Sequence, residues 1–268
     1  MNSQTFWRVA SNTVAGLAFL LLLLPLLVIV MFSFGERSFF TFPPSGFSLK
    51  WYRAAWESNL FLVPALRSLA LAAIATAVAA LLAVPAALAL RRMRTGPLRN
   101  LLEFAFLSPL IVPALIVGIA LLYAFNRVRL LDTFVALVAA HALIVFPFML
   151  RSVLTSVLGL RESLLEASEV LGASPAYTLR RVILPGILPG IVAGAIFAVI
   201  VSLDQFTVSL FVTQSEQVVL PVAIYKYLFD VNDPVAAAVS TVLVLFGLLA
   251  AFVIDRLGWL RHLAGTGS

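Results

Sequence analysis

The run Glu166-Ala-Ser-Glu-Val-Leu-Gly-Ala-Ser-Pro175, followed by Val182-Ile-Leu-Pro185, is a polar island between two long hydrophobic stretches. Its pattern predicts two short helices. Gly172 can adopt the left-handed conformation that ends a helix. Ser174 and Pro175 are typical of the N-cap and first position of the next helix. We expect a membrane protein with such a compact helix pair between two spans to present it to a soluble partner.

The composition is that of a membrane protein. Hydrophobic residues make up 62% of the 268 residues and charged residues only 11%, and the mean hydropathy is +1.09. A soluble domain carries about 25% charged residues. The net charge of +6 is better explained by basic cytoplasmic loops than by nucleic-acid binding. The chain has no cysteine, which excludes disulfides and Cys-based metal sites.

Six hydrophobic stretches flank the polar island, each near the roughly 20 residues needed to cross a hydrocarbon core of about 30 Å. Backbone groups in lipid must bond within their own segment, and alternating β patterning is absent, so we expect an all-α polytopic fold. No Ala-x-Ala cleavage site follows the first stretch, which is expected to remain as a helix. The predicted spans are 14–34, 68–90, 104–125, 133–150, 186–212 and 236–254, with a cytoplasmic helix pair at 161–185 in a single domain covering 1–268.

The basic residues predict the orientation of these spans. With the amino terminus inside, eleven of the 18 Lys and Arg residues fall on the inner side and seven on the outer side. Cytoplasmic loops carry the excess of Lys and Arg, so both termini are predicted to be cytoplasmic. The same orientation places the polar island in the cytoplasm.

Prolines recur in or beside the spans, most densely in Ser108-Pro-Leu-Ile-Val-Pro113. Each proline removes a helix hydrogen bond and tends to kink the helix. Bent helices around a translocation path are one interpretation, since such breaks are tolerated where a cavity or neighbouring helices repair them. The other is that proline is simply more frequent in transmembrane helices.

Asp204 is a carboxylate inside the fifth predicted span. An ionisable residue at the bilayer centre costs roughly 3 kcal/mol on insertion scales and usually faces a cavity or a partner. In an aqueous path it would attract a cationic substrate, and Gln205, Thr207 and Ser209 could add hydrogen bonds. The alternative is a structural ion pair with an arginine of a neighbouring helix or subunit.

The sequence predicts no catalytic residue, cofactor or metal site. It has no Gly-x-x-x-x-Gly-Lys phosphate loop and no His-Glu-x-x-His motif. His141 and His262 are too few for a His-rich metal site. His141, within the fourth predicted span, is expected to form a hydrogen bond between helices rather than to relay protons. The chain is therefore predicted not to be an enzyme, and its energy source must be external.

The polar island resembles the EAA loop of ABC importer permeases. That pattern is Glu-Ala-Ala, three residues, Gly, nine residues, Ile, one residue, Leu-Pro. This chain has Glu166-Ala167, Gly172 and Leu184-Pro185 at the matching positions, with Ser168 in place of the third-position Ala and Val182 in place of the Ile. Both replacements are small or isosteric.

Three further segments, Phe42–Tyr52, Ser202–Phe211 and Leu220–Tyr225, resemble the second permease subunit of spermidine/putrescine-type importers. The resemblance implies a type I ABC importer of the bacterial inner membrane that moves polyamines inward by alternating access. Related permeases handle ferric iron, phosphonates or thiamine, so these substrates remain alternatives. A gradient-driven secondary transporter and a membrane scaffold without transport are the alternatives from other classes.

The same resemblance implies the partners. These are two ATPase subunits that bind ATP and Mg, a second homologous permease, and an extracytoplasmic solute-binding protein docking on Phe42–Tyr52 and Gln214–Pro221. The residues that the resemblance assigns to ATPase coupling are Glu166, Ala167, Ser168, Gly172, Ala173, Ser174, Pro175, Leu184 and Pro185.

Overall fold

The computed structural model describes residues 3–44, 46–231 and 233–256. Over these ranges the regular structure is helical, without β-strands, which confirms the predicted all-α fold. A 3₁₀ turn covers Ser108–Leu110 and a π-helical turn covers Leu179–Ile183. The α-helices are α1 (Ser3–Ser33), α2 (Lys50–Glu57), α3 (Leu62–Arg92), α4 (Pro97–Leu107), α5 (Ala114–Arg127), α6 (Phe134–Leu158), α7 (Glu162–Val170), α8 (Pro175–Thr178), α9 (Leu184–Asp204), α10 (Phe206–Val212), α11 (Leu220–Asp230) and α12 (Val235–Arg256).

Among the described residues, four helical runs are long and apolar enough to cross a membrane. They are Ser11–Ser33 within α1, α3, α6 and the continuous run Pro175–Asp204. The α4–α5 pair adds a fifth if it counts as one bent span, and α12 contributes the shorter apolar stretch Val235–Leu249. All six predicted stretches therefore fall on helices, but the third and the fifth are interrupted.

The predicted third span, 104–125, is not one straight helix. Pro97–Leu110 and Ala114–Arg127 are bent by 96° relative to each other. Pro109 lies in the 3₁₀ turn, and Pro113 precedes α5 with extended φ −54° and ψ 132°. Proline lacks an N–H and disfavours helical geometry in the residue before it, so two prolines four residues apart end one helix and start the next.

The described residues form two compact units, Pro64–Val222 and the remainder on either side of it. The helix pair α6 and α9 lies at the centre of the unit Pro64–Val222. Gly190 and Gly194 of α9 allow the two backbones to approach closely. A Cβ built on Gly190 would lie 2.2 Å from Ser156 Oγ and 2.7 Å from the Ser152 carbonyl oxygen, and one on Gly194 would lie 2.8 Å from the Met149 sulfur. Small residues at four-residue spacing are typical of close membrane helix pairs.

In the other unit, the residues after α1 are held by the aromatic side chains of α2. Trp51 Nε1 donates to the Gly35 carbonyl oxygen at 2.6 Å, and Tyr52 Oη lies 2.7 Å from Ser33 Oγ. Phe34 stacks on Phe47 with ring centroids 4.8 Å apart. Much of the predicted docking segment 42–52 is therefore ordered by packing and hydrogen bonds, while Ser45 lies outside the described residues.

Candidate functional site

The polar island folds as a hairpin over residues 162–178, and α7 ends in it with a Schellman motif. Gly172 has a φ of +72°. Its N–H donates to the Glu169 carbonyl oxygen at 2.9 Å, and the Ala173 N–H donates to the Ser168 carbonyl oxygen at 3.1 Å. These two bonds satisfy carbonyls that the last turn of a helix leaves unpaired. The predicted left-handed role of Gly172 is confirmed.

The second half of the 162–178 hairpin begins as predicted. Ser174 is the N-cap and its hydroxyl accepts from the Tyr177 N–H at 3.3 Å, with Pro175 at the start of α8. A further bond joins the two arms: Ser168 Oγ and Thr178 Oγ1 lie 2.7 Å apart. Ser168 is buried, whereas the family pattern has alanine at this position. The departure from the pattern thus provides a cross-link between α7 and α8.

The second arm does not remain a separate short helix. Through the π-helical turn Leu179–Ile183, α8 continues directly into α9. Leu184 and Pro185 are therefore the first residues of α9 and do not belong to a loop, so the predicted loop 161–185 is too long at its carboxyl end. Pro185 cannot donate to the preceding turn and its ring needs space there, and a wide π turn supplies that space.

The tip of the 162–178 hairpin is apolar and exposed. Val170 and Leu171 are 87% and 85% exposed, and Leu164 and Tyr177 are exposed as well. An exposed apolar patch on a folded element indicates an interaction surface. Beside it is an open depression of about 680 Å³, lined by Leu164, Ala167, Ser168, Leu171, Gly172, Ala173, Ser174, Tyr177 and Val182. Most of the predicted coupling residues lie in or around this depression, and Glu166 is exposed next to it.

Arg91 connects the hairpin to α3, a connection that the sequence did not suggest. Its guanidinium lies 2.9 Å from the Glu162 carboxylate at the start of α7 and donates to the Leu160 carbonyl oxygen at 3.4 Å. The Arg91 side chain is largely buried while that of Glu162 is exposed. The start of the hairpin is thus attached to the end of a membrane-spanning helix.

The fifth predicted span is broken beside Asp204. There α9 ends, Gln205 leaves the helical region with ψ 82°, and α10 resumes at Phe206. His141 of α6 bridges the break: its Nδ1 lies 2.8 Å from Ser202 Oγ and its Nε2 lies 2.9 Å from Ser209 Oγ. His141 is buried, in agreement with the expectation that it forms hydrogen bonds between helices.

The break separates the predicted path-lining residues. Asp204 is exposed in the isolated chain and Gln205 and Thr207 are partly exposed, whereas Ser209 is fully buried against His141. Ser209 stays next to Gln205 across the break, because its hydroxyl donates to the Gln205 carbonyl oxygen, but its side chain is buried and does not face the same side as Asp204. Neither of the two ion pairs found among the described residues, Arg53–Glu57 and Arg91–Glu162, involves Asp204.

At the opposite end of α6 from the hairpin, Asp132 organises the 213–219 loop between α10 and α11. Its carboxylate accepts four backbone N–H groups, those of Gln214, Ser215, Glu216 and Gln217, at 3.0 to 3.3 Å. Partial burial acts to raise the pKa of the Asp132 carboxyl, but these four bonds together hold it below its ordinary value. Asp132 could not be predicted from the sequence, because its partners lie more than 80 residues away.

Solved membrane transporters share this helical arrangement. The chain superposes with a TM-score of 0.75 on a chain of a bacterial ABC transporter involved in the import of the acidic polysaccharide alginate, covering 96% of this chain and 98% of that one at 16% identity. A structure of the bacterial alginate ABC transporter in complex with an alginate pentasaccharide-bound periplasmic protein gives a TM-score of 0.69. That match covers 95% of this chain and 96% of that one at 15% identity. These similarities establish the fold.

Residues 79–258 match the family described as binding-protein-dependent transport system inner membrane component, and the chain belongs to that family of ABC importer permeases. It is 30% identical to the putative 2-aminoethylphosphonate transport system permease protein PhnV of Salmonella typhi, over 93% of this chain and 95% of that one. It is 29% identical to the spermidine/putrescine transport system permease protein PotC of Escherichia coli K12, over 85% of this chain and 86% of that one. The probable ABC transporter permease protein y4fN of Sinorhizobium fredii is 30% identical over 93% of this chain, which spans only 46% of that relative. The chain is accordingly a multi-pass protein of the bacterial inner membrane.

Proposed function

We propose that this chain is the permease through which an ATP-driven importer moves a small cationic amine inward, with a polyamine such as spermidine or putrescine as the first candidate. The observation that carries the proposal is Asp204, an exposed carboxylate at a break in a membrane-spanning helix. An ionisable residue within the membrane is costly, by roughly 3 kcal/mol at the bilayer centre, so a water-filled path or a partner subunit is the favourable environment for this carboxylate.

Two negative features coincide at this break. The 21-residue helix α9 ends at Asp204, and the carboxyl-terminal end of a helix carries a partial negative charge. The Asp204 carboxylate adds a full charge beside it. In secondary transporters, the carboxyl-terminal ends of broken membrane helices coordinate cations. A cation is the solute that this end of α9 would bind.

The solutes named for two relatives support an amine as the first cation to test. Spermidine, putrescine and 2-aminoethylphosphonate, named for PotC and PhnV, all carry an amino group that is protonated at neutral pH. A phosphonate would also need cationic partners, and the stretch 202–209 contains neither Lys nor Arg. This favours a polyamine over an aminophosphonate. Ferric iron and thiamine remain the other candidates to be tested beside them.

The 162–178 hairpin is proposed as the docking element for an ATPase partner. In the proposed transporter, ATP and Mg bind to that partner and not to this chain. The exposed apolar tip of the hairpin, Val170 and Leu171, suits insertion into a groove. The proposed complete transporter has two ATPase subunits, a second homologous permease beside this one, and an extracytoplasmic binding protein that delivers the solute. Both termini would then be cytoplasmic; the carboxyl terminus beyond Arg256 lies outside the described residues.

The continuous helix can transmit movement of the hairpin, caused by the ATPase partner, to the proposed solute site at Asp204. Pro175 in the hairpin and Asp204 at the break are the two ends of one 30-residue helical run, about 45 Å long. A rigid-body displacement of the hairpin would therefore move the Asp204 end, and the Arg91–Glu162 pair would draw α3 along. Such a displacement switches the Asp204 site between outward and inward access.

The test is uptake of labelled spermidine, putrescine and 2-aminoethylphosphonate by cells that lack the gene and carry wild type, Asp204→Asn or Asp230→Asn. The control Asp230 is an exposed aspartate at the end of α11. We expect wild type and the control to restore polyamine uptake, and Asp204→Asn to weaken it by about tenfold or more, because a hydrogen bond to a charged group contributes about 1.5–3 kcal/mol. Equal uptake with Asp204→Asn would remove Asp204 from the path. Uptake of the phosphonate alone would overturn the polyamine assignment.

A further inference from the structure

The 213–219 loop has no helix or strand of its own, yet its backbone is held from one side by a single residue. Besides the four N–H groups that its carboxylate accepts, Asp132 donates its own N–H to the Val212 carbonyl oxygen at 3.1 Å. The chain from 212 to 217 is thus wrapped around one aspartate. A carboxylate that accepts several N–H groups forms charge-assisted bonds, which are stronger than neutral ones.

The other end of the loop is held by α3. The Arg67 guanidinium donates to the Val218 carbonyl oxygen at 2.8 Å, and the buried Ser68 hydroxyl accepts from the Leu220 N–H at 2.9 Å. Two elements that are far from the loop in sequence therefore fix its beginning and its end. The loop is ordered by its surroundings rather than by its own sequence.

Asp132 adopts a left-handed conformation, with φ +58°, to make these bonds. That region is disfavoured for residues with a side chain and persists where the surrounding structure over-determines it. The two ends of the loop pack into the core, since Thr213 and Val219 are buried. Gln214, Ser215 and Glu216 between them are exposed, so the clamp presents this middle part of the loop to solvent.

The loop lies at the opposite end of α6 from the 162–178 hairpin. Asp132 lies just before Thr133, the N-cap of the 25-residue α6, and the hairpin follows α6, which separates the two by about 37 Å. If the hairpin faces the ATPase in the cytoplasm, as proposed above, the 213–219 loop faces the extracytoplasmic side.

We propose that Asp132 is a positioning residue, which holds the 213–219 loop in one conformation so that the loop forms a docking surface for the extracytoplasmic solute-binding protein. This rests on the proposed function. A loop that is already ordered loses less conformational freedom on binding, so the partner binds more tightly. The exposed, polar character of Gln214, Ser215 and Glu216 suits a partner that docks and leaves in each cycle.

The experiment uses the whole transporter in lipid nanodiscs, titrated with its own purified solute-binding protein, with ATP hydrolysis as the signal. Asp132→Ala removes the clamp, and Asp132→Asn keeps the side-chain volume but loses the charge. We expect Asp132→Ala to raise the half-saturating binding-protein concentration by about tenfold and Asp132→Asn by less, because a disordered loop must be ordered on binding. The basal and maximal rates should stay unchanged, and Asp230→Asn should match wild type.

Hydrogen exchange at the 214–217 amides measures directly whether the clamp is lost. If the Asp132→Ala transporter does not assemble, both measurements are made on Asp132→Asn. Faster exchange together with a raised half-saturating concentration supports the proposal. Faster exchange with an unchanged half-saturating concentration overturns it, since the clamp would then serve the fold alone. Unchanged exchange overturns it as well. A wild-type transporter whose ATP hydrolysis does not respond to the binding protein would instead refute the proposed function on which the inference rests.

Discussion

Ser168 Oγ lies 2.7 Å from Thr178 Oγ1 and so joins the two arms of the 162–178 hairpin. The bond connects α7 to the start of the helical run that ends at Asp204. If the hairpin transmits force as one body, the bond limits bending between its arms.

We predict that Ser168→Ala and Thr178→Val each lower the number of solute molecules taken up per ATP by about two- to fivefold, because a net hydrogen bond contributes about 1 kcal/mol. The double variant should be no worse than either single variant, since both remove the same bond. Reconstituted transporter with paired uptake and ATPase assays measures the ratio. Ser163→Ala, at an exposed serine of α7, is the control. Additive losses would show that the two hydroxyls act separately.

A glycine is favoured at position 172 because of its backbone conformation, and not because a side chain there would clash with a neighbour. Gly172 has a φ of +72°, and a Cβ added there would meet nothing within 4 Å. We therefore expect Gly172→Asn to retain most transport, Gly172→Ala to lose about 1–2 kcal/mol of hairpin stability, and Gly172→Pro to abolish uptake. The three variants are compared by measuring solute uptake into membranes that contain equal amounts of each protein. Full uptake with a correctly inserted Gly172→Pro variant would contradict the coupling role.

The Arg91–Glu162 pair should matter for coupling more than for stability. Exposed ion pairs contribute about 0–1 kcal/mol, and Glu162 is exposed. Glu162→Arg places two cations together and should reduce ATP-driven uptake by about two- to fivefold. The exchanged pair Arg91→Glu with Glu162→Arg should recover part of it, because the ion pair forms again while the bond to the Leu160 carbonyl oxygen is lost. Arg92→Glu, at the exposed neighbouring residue, controls for the charge change at the end of α3. A double variant as impaired as the single one would argue against the pair.

The close α6–α9 approach makes Gly190 intolerant of any side chain. Its added Cβ would lie 2.7 Å from the backbone carbonyl oxygen of Ser152. Gly190→Ala should cost about 1–3 kcal/mol, the usual cost of overpacking, and lower the thermal midpoint of the purified transporter. Gly247→Ala, where nothing lies within 4 Å of the added Cβ, should leave it unchanged. Equal midpoints for both variants would contradict the packing described for α6 and α9.

What the sequence predicted well was local. The left-handed Gly172 and the Ser174 cap depend on residues within a few positions, and both were predicted correctly because helix ends are determined at short range. Hydrophobic length predicted helices at all six stretches for a similar reason, although the third and the fifth are interrupted.

What it missed depended on tertiary contacts. Ser209 was grouped with Asp204 because the break at Gln205 is not visible in a hydrophobic run, and its side-chain partner, His141, lies 68 residues away. Asp132 lacked any motif, since the backbone amides it binds are brought to it by folding. The continuity of α8 with α9 was hidden by Pro185, which usually indicates a helix start but here follows a π turn.

The most direct test of the account is accumulation of labelled spermidine in proteoliposomes that contain the complete transporter and its binding protein. The account predicts accumulation that requires ATP and the binding protein, is lost with Gly172→Pro and is weakened with Asp204→Asn. Accumulation driven by a proton or sodium gradient without ATP, or ATP-driven accumulation that is unchanged in both variants, would contradict it.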